Sequence, residues 1–234
     1  MDQDISSQIA RAKELLEDLE TSCKSDLQRK EASERTKNLA QEVLLKMRHV
    51  LDQSMNRFFQ KVIVPKLTPE QSKKARVYFP IARSKEGFES ILGRGQMKNL
   101  NILAPKVYDF LESIQPYNAN STWLGDFSDF SNEKHIRLTP QEIKKENETV
   151  LGGAVHVGRG SKVMMRDVLI NGIPVNSEDI NQTPLEKFDP RLRVERRTWI
   201  SFNFENTEIN MLWLCKKSVI DLDETIKEFY KLFS

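Results

Sequence analysis

The sequence predicts an α+β protein in which helices come first and a small antiparallel β-sheet with a terminal helix follows. Apolar residues recur at helical spacing as far as Val62, whereas from Leu151 onward they alternate or flank turn signals. With 234 residues, the chain is long enough to bury a hydrophobic core without a metal or a disulfide. We therefore expect residues 1–148 to form a helical region and residues 149–234 to form the sheet and last helix, packed as one unit.

Two amphipathic helices open the chain. Apolar residues step by threes and fours from Ile5 to Cys23 and again from Leu44 to Val62, and Pro65 ends the second run. The strongly charged stretch from Lys24 to Arg35 separates the two runs. We expect an antiparallel helical hairpin. The same spacing is compatible with a coiled-coil homodimer through these helices, although the run is short.

Shorter helices follow, and each is predicted from its terminal residues. Thr68-Pro69-Glu70-Gln71 and Thr139-Pro140-Gln141-Glu142 both have the residue types of a capping box, which starts a helix. Tyr78-Phe79-Pro80-Ile81 interrupts the helical pattern, and a further helix is expected between Pro105 and Pro116. Asn120-Ser121 is expected to cap the next helix.

The pattern changes to strands in the last third of the chain. Residues from Val163 to Val175 predict a hairpin, because Asn171-Gly172 supplies the positive φ angles of a tight turn. Alternation from Val194 to Phe204 predicts a strand, and we expect its hairpin partner to return from Ile209 to Cys215. A last helix, Asp221 to Phe233, should pack on this sheet.

Composition and spacing exclude several classes of site. Lys+Arg number 36 and Asp+Glu 34, so a nucleic-acid surface remains possible only as a local patch. The Gly158 to Lys162 loop lacks the spacing of a phosphate-binding loop. We expect neither a cofactor nor a metal site, because the ligand residue types are scattered. These residues are Cys23, His49, His135, His156 and Cys215.

The start of the chain is polar and acidic, from Met1 to Asp4, which differs from a secretory signal. No apolar run approaches the length that crosses a bilayer. The two cysteines lie far apart in sequence, as expected of free thiols in a reducing compartment. We therefore expect a soluble cytoplasmic protein that does not contact membranes.

Four short stretches resemble the motifs of a family of uncharacterised bacterial proteins. They are Leu44 to Gln53, Phe79-Pro80-Ile81, Ile114-Gln115-Pro116-Tyr117 and Asn132 to His135. Members of that family carry an HNLRxxLDH-like helix, an FPI segment, a LQPY helix end and an NxDKHR-like motif. The resemblance covers the middle of the chain and implies an intracellular bacterial protein.

The family's HNLRxxLDH helix is similar to the active motif of HEPN-type ribonucleases. The resemblance implies an Arg that steadies the scissile phosphate and a His that moves the proton of the ribose hydroxyl. Arg48, Leu51 and Asp52 match that helix, but Gln53 stands at the position of the His. Because Gln exchanges no proton near neutral pH, the resemblance implies a helical scaffold without catalysis.

The candidate binding residues follow from these motifs. They are Arg48, Asp52, Asn132, Glu133, Lys134 and His135. Two structural alternatives stand beside a functional site. Lys134 and His135 suit the partial negative charge of a helix C-terminus, and Arg48 with Asp52 one turn later suits an ion pair. A polar network that joins the two helices would explain both motifs.

The sequence therefore predicts a non-catalytic protein that binds a partner. One alternative is a ribonuclease-like enzyme in which His135 or His49 works with Arg48 in place of the lost histidine. Another alternative is a small-ligand binder with its pocket between the helices and the sheet. If the charges of the candidate residues are buried or half-buried, each must have a partner of opposite charge, either within the chain or in a ligand.

Overall fold

The computed structural model describes residues 2–29, 31–119, 122–133, 135–158 and 161–233, and it leaves out the side chains of 27–29, 140–148 and 197–200. The fold is α+β, as predicted. The helices are α1 (Gln3–Arg29), α2 (Glu34–Phe58), α3 (Pro69–Lys74), α4 (Lys85–Arg94), α5 (Leu100–Leu103), α6 (Pro105–Ser113), α7 (Trp123–Asn132) and α8 (Met211–Lys231). The strands are β1 (Leu138–Leu151), β2 (Val155–Val157), β3 (Met165–Ile170), β4 (Ile173–Ser177) and β5 (Val194–Phe204). Short π- and 3-10-helical turns lie at Phe59–Ile63, Val64–Lys66 and Leu185–Lys187.

The first two helices form the predicted antiparallel hairpin. Ser33 caps α2, and the carboxylate of Asp26 holds the turn, because its Oδ2 accepts hydrogen bonds from the Ser33 amide at 2.8 Å and from the Thr36 hydroxyl at 2.6 Å. Asp26 is only 3% exposed. The apolar seam of α1, from Ile5 to Cys23, is buried within the chain. The homodimer through these helices stays a prediction. The apolar face of α1 that would form it is already buried against other parts of the same chain.

The main core lies where α8 packs against α1 and α2. The Phe229 ring is fully buried there, and its centroid lies 5.7 Å from that of Phe58, 5.9 Å from that of Phe79 and 5.0 Å from that of Phe233. The core reaches the sheet through Phe204 at the end of β5. In the described part of the chain, no helix has both the length and the apolar character needed to cross a bilayer.

The predicted helix start at Thr139 to Glu142 is wrong, because these residues belong to strand β1. β1 is antiparallel to β5, with the register running from Leu138 opposite Phe204 to Leu151 opposite Val194. β2 pairs only with residues 149–151, so Pro140 lies where β1 has one neighbour. Proline is tolerated there because one side of the strand needs no amide donor. Pairing with β5 on both sides of a register shift between Ile143 and Glu148 therefore outweighs the local capping pattern.

The predicted return strand from Ile209 to Cys215 is also wrong. Only Asn210 bridges back to the β5 residue Asn203, and helix α8 begins at Met211. The Asn210 side chain accepts the Trp213 amide at 2.8 Å, which caps the helix ten residues before the predicted start at Asp221. Buried residues continue at helical spacing through both predicted segments, so one helix replaces the strand and the shorter helix.

The predicted hairpin at Asn171-Gly172 is confirmed. φ is 53° at Asn171 and 78° at Gly172, as this two-residue turn between β3 and β4 requires. The hairpin covers a second, smaller apolar cluster. That cluster consists of Leu151, Val157, Met165, Ile170, Val175, Ile180, Phe188 and Leu192. The predicted division at residue 148 falls inside β1, a strand that pairs with β5 on both sides of it.

Asp223 on α8 gives a prediction for stability against pH. Its side chain is 8% exposed and forms ion pairs with Lys13 of α1 at 2.7 Å and with Lys227 at 3.0 Å. Burial alone raises the pKa of Asp223, but the two ammonium groups outweigh burial and lower it below the ordinary value of 3.8. A lowered pKa means that this stabilisation is present above about pH 5 and is lost as the pH falls through the folded-state pKa.

We expect Asp223→Asn to lower the free energy of unfolding by about 1–3 kcal/mol at neutral pH. The measurement is the melting temperature of both proteins from neutral pH down to the acid limit of folding. The gap between the two melting temperatures should narrow as the pH falls below the ordinary pKa of the carboxyl group. A gap that stays constant or widens in acid would contradict the assignment.

The two thiols give a second prediction. Cys23 and Cys215 are both free and buried, and burial raises the pKa of Cys23 to about 11 and also raises the pKa of Cys215. Because the thiolate is the reactive form, we expect neither thiol to react measurably with Ellman's reagent at about pH 8 in the native protein. Both should react after denaturation. Stoichiometric labelling of the native protein at the rate of a free cysteine would refute this.

Candidate functional site

Three of the motif stretches meet at the FPI segment, Phe79 to Ile81. The Asp52 Oδ1 atom on α2 accepts the Phe79 amide at 2.9 Å. The fully buried Gln115, which follows α6, donates from Nε2 to the Pro80 carbonyl at 2.9 Å and accepts the Ala82 amide through Oε1 at 2.8 Å. These bonds satisfy backbone groups of a non-helical segment that is largely buried. Asp52 and Gln115 therefore fix the FPI segment against the helices.

Asp52 also positions Arg48. The two residues are one turn apart on α2, and the Arg48 Nε atom lies 3.2 Å from the Asp52 Oδ2 atom. The Arg48 side chain is 17% exposed and that of Asp52 is 25% exposed. The predicted contact between them is thus present. One carboxylate holds both the backbone of the FPI segment and the guanidinium of Arg48.

Beside this pair lies a cavity of about 410 Å³, which we call the arginine cavity. It opens between α2, the segment from Arg76 to Ile81, the C-terminal end of α4 and α7. Its lining consists of Arg48, Arg76, Tyr78, Phe79, Ile81, Ile91, Arg94, Ser128 and Asn132. The Arg76 amide donates to the Arg94 carbonyl at 3.0 Å. This hydrogen bond holds the segment that precedes the FPI segment against the C-terminal end of α4.

The arginine cavity is electropositive. Three guanidinium groups line it, and none of the described lining residues is a carboxylate. Arg48 is partly neutralised by Asp52, whereas Arg76 and Arg94 form no ion pair within the part of the chain that the structure describes. Guanidinium groups donate paired hydrogen bonds to phosphate and carboxylate oxygens, so this arrangement suits an anion with several oxygens.

The predicted site residues at the end of α7 and just after it divide between two cavities. Asn132 lines the arginine cavity with Arg48, and its Nδ2 donates to the Ser128 carbonyl at 2.6 Å. The Glu133 carbonyl accepts a hydrogen bond from Gln41 of α2 at 2.6 Å. Lys134 lies outside the described residues. Its neighbour His135 lines a different cavity, of about 270 Å³.

The histidines are therefore not assembled with Arg48. His135 shares its cavity with Arg137 and Glu205, and His49 is exposed on α2. No described residue that lines the arginine cavity is a histidine. Gln53, which stands where the resembled motif has a histidine, accepts a hydrogen bond from Gln8 of α1 at 2.8 Å. Its side chain thus serves the contact between the first two helices.

Sequence reasoning missed Arg76, Tyr78, Arg94 and Ser128. Arg76 and Tyr78 precede the FPI segment directly, so the motif itself was the signal that could have included them. Arg94 is the last residue of α4, where a basic residue is explained by the helix dipole alone. Their convergence depends on how α4 and the FPI segment pack, which a local pattern does not contain.

Comparison with protein-family models, curated proteins and solved structures finds no match to this chain. The described residues contain no group of three or more His, Cys, Asp or Glu side chains that could hold a metal ion. The site must accordingly be interpreted from its own geometry and charge.

Proposed function

We propose that this protein is a non-catalytic binding protein that holds a phosphate-bearing ligand in the arginine cavity. The observation that carries the proposal is the convergence of Arg48, Arg76 and Arg94 on one cavity, where, among the described residues, a carboxylate pairs only with the first of them. Two like charges without counter-ions are stabilised by an anion that each guanidinium can bind through paired hydrogen bonds.

We assign binding and not cleavage to this cavity. Phosphodiester cleavage would need a proton carrier beside Arg48, and no described residue that lines the cavity is a histidine. Arg48 is held in place by Asp52, whereas Arg76 and Arg94 stand on the outer side of the cavity and are exposed. Arg48 and Asn132 then bind the inner oxygens of the ligand and Arg76 and Arg94 the outer ones. A cytoplasmic, bacterial setting belongs to the same proposal, through the motif resemblance.

Calorimetric titration with pyrophosphate tests this assignment. We expect Arg76→Ala combined with Arg94→Ala to weaken pyrophosphate binding by about 100-fold, since each charge-assisted hydrogen bond contributes roughly 1.5–3 kcal/mol. Neither residue is buried, so the double variant should fold normally.

The matched control is Arg191→Ala combined with Arg193→Ala. These arginines are also exposed, and each is paired with a carboxylate, Asp189 and Glu195 respectively. This variant removes the same charge from another part of the surface and should retain wild-type affinity. Equal losses in the two double variants would show that pyrophosphate responds only to overall charge, and the proposal would fail.

A further inference from the structure

The arginine cavity is one of three cavities that follow each other around the end of α4. Gly93 and Arg94 are consecutive residues, and Gly93 lines a second cavity of about 500 Å³ with Lys66 and Lys98. Lys98 and Asn99 also line a third cavity, of about 470 Å³, which extends to Tyr108. The second and third cavities thus share lining residues, and the arginine cavity adjoins them through the consecutive residues Gly93 and Arg94. We call the surface that the three cavities line the basic groove.

The charge of the basic groove differs from that of the chain as a whole. Residues 61–98 contain nine Lys and Arg against three Glu, although the formal net charge of the chain is only +2. Two of these cations already have acidic partners: Arg83 with Asp126 and Asp129, and Lys85 with Glu112. The net charge therefore conceals a local excess of cations.

The cations of the groove itself remain available. Within the described ranges, Arg76, Arg94, Lys66 and Lys98 pair with no carboxylate, and Lys66 Nζ donates only to the Leu103 carbonyl, at 3.2 Å. A single phosphate would occupy the arginine cavity and leave the two lysines unmatched. An anion with charges repeated along a chain would match the whole groove.

The aromatic and amide groups narrow the class of polyanion. Tyr78 is 54% exposed at the arginine cavity, so part of its ring is free for stacking. Asn99 and Asn101 line the third cavity, and their amides can both donate to and accept from base edges. Among the described residues that line it, the single carboxylate is Glu89, which lies 3.9 Å from Lys85. A chain of acidic residues alone, such as polyglutamate, has no aromatic ring to stack, and a duplex keeps its base faces covered.

We propose that the basic groove binds a single-stranded nucleic acid. Its phosphates lie along Arg94, Lys98 and Lys66, and one base stacks on Tyr78. The inference rests on the proposed function of the arginine cavity and extends it from one phosphate group to a strand. Most of the proposed contacts are to phosphates and to the face of one base, so we expect binding to be mainly electrostatic and sequence-tolerant.

Fluorescence anisotropy with labelled oligonucleotides tests the inference. The probes are single strands of about twelve deoxythymidines or uridines, within the usual site size of such grooves. We expect at least one strand to bind, with affinity that falls as salt rises at a slope of about −2 to −3 on logarithmic axes, as three or four phosphate contacts require.

Two variants test the contacts that the strand makes with the groove, and the first of them also separates the strand from the single phosphate. Lys66→Ala combined with Lys98→Ala should weaken oligonucleotide binding about 10-fold, and Tyr78→Ala should do so to a similar extent. The double lysine variant changes no residue of the arginine cavity, so it should leave pyrophosphate affinity unchanged, which also shows that it is folded. The control is Lys162→Ala combined with Lys187→Ala, two exposed lysines elsewhere in the chain, which should bind the strand normally.

The outcomes distinguish the two proposals. If pyrophosphate binds but neither strand does, the inference is overturned and the proposed function stands. If a duplex or a polyglutamate chain binds as tightly as the single strands, or if the control lysines matter equally, the inference also fails. If neither pyrophosphate nor a strand binds, both proposals are wrong.

Discussion

Replacing Phe229 with alanine is expected to lower the free energy of unfolding by about 3–5 kcal/mol. The side chain is fully buried in α8 and contacts rings from three other parts of the chain: Phe58 of α2, Phe79 of the FPI segment and Phe110 of α6. Its removal deletes apolar contacts and leaves a cavity that these surrounding rings cannot close. Urea denaturation followed by circular dichroism measures the change.

The control for this prediction is Tyr78→Ala. Tyr78 is also aromatic and lies one residue from Phe79, but it is 54% exposed. Its replacement should change the free energy of unfolding by less than about 0.5 kcal/mol, as is usual for surface positions. A loss below about 1 kcal/mol in Phe229→Ala would mean that α8 does not pack on the FPI segment as described.

Asp52→Ala is the second change with a large expected effect, a loss of about 2–3 kcal/mol. The substitution leaves the Phe79 amide without its acceptor and Arg48 without its counter-charge. Phe79 is fully buried, so solvent compensates its amide poorly. The measurement is again the free energy of unfolding from urea denaturation.

Asp52→Asn is the matched variant. The amide oxygen can still accept the hydrogen bond from Phe79, although the ion pair with Arg48 is lost. We expect its stability to stay within about 1 kcal/mol of the wild type, since an ion pair between residues one helical turn apart contributes only about 0.2–0.5 kcal/mol. If alanine and asparagine destabilise the protein equally, the backbone hydrogen bond is not what Asp52 provides.

Local patterns predicted α1, α2, α3, α6 and α7 but neither α4 nor α5, because amphipathic spacing and terminal residues act within a few turns. The α1 and α2 seams, the Thr68 capping box and the Asn171-Gly172 turn all belong to this class. The error at Ile209 to Cys215 was local, since buried residues at helical spacing extend α8 back to Met211. The error at Thr139 fell on residues whose structure is decided by a distant partner. β1 forms because β5 pairs with it, and nothing local at Thr139 shows that partner.

The candidate site divides in the same way. The sequence indicated Arg48, Asp52 and Asn132, since the first two are one turn apart and all three belong to motif-like stretches. It did not indicate Arg76 or Arg94, which are brought together by a backbone hydrogen bond between separate segments. Nor did it show that His135 would face a separate cavity. The convergence of charged side chains depends on tertiary packing, so no fixed spacing in the sequence predicts it.

The most direct test of the arginine cavity is nuclear magnetic resonance of the arginine Nε–Hε groups during a pyrophosphate titration. The three groups of Arg48, Arg76 and Arg94 should shift together and saturate with one dissociation constant, because one anion contacts all three. Arg191, which is paired with Asp189, should not move. Shifts confined to arginines elsewhere on the surface, or none at all at saturating pyrophosphate, would contradict a phosphate-binding role for this cavity.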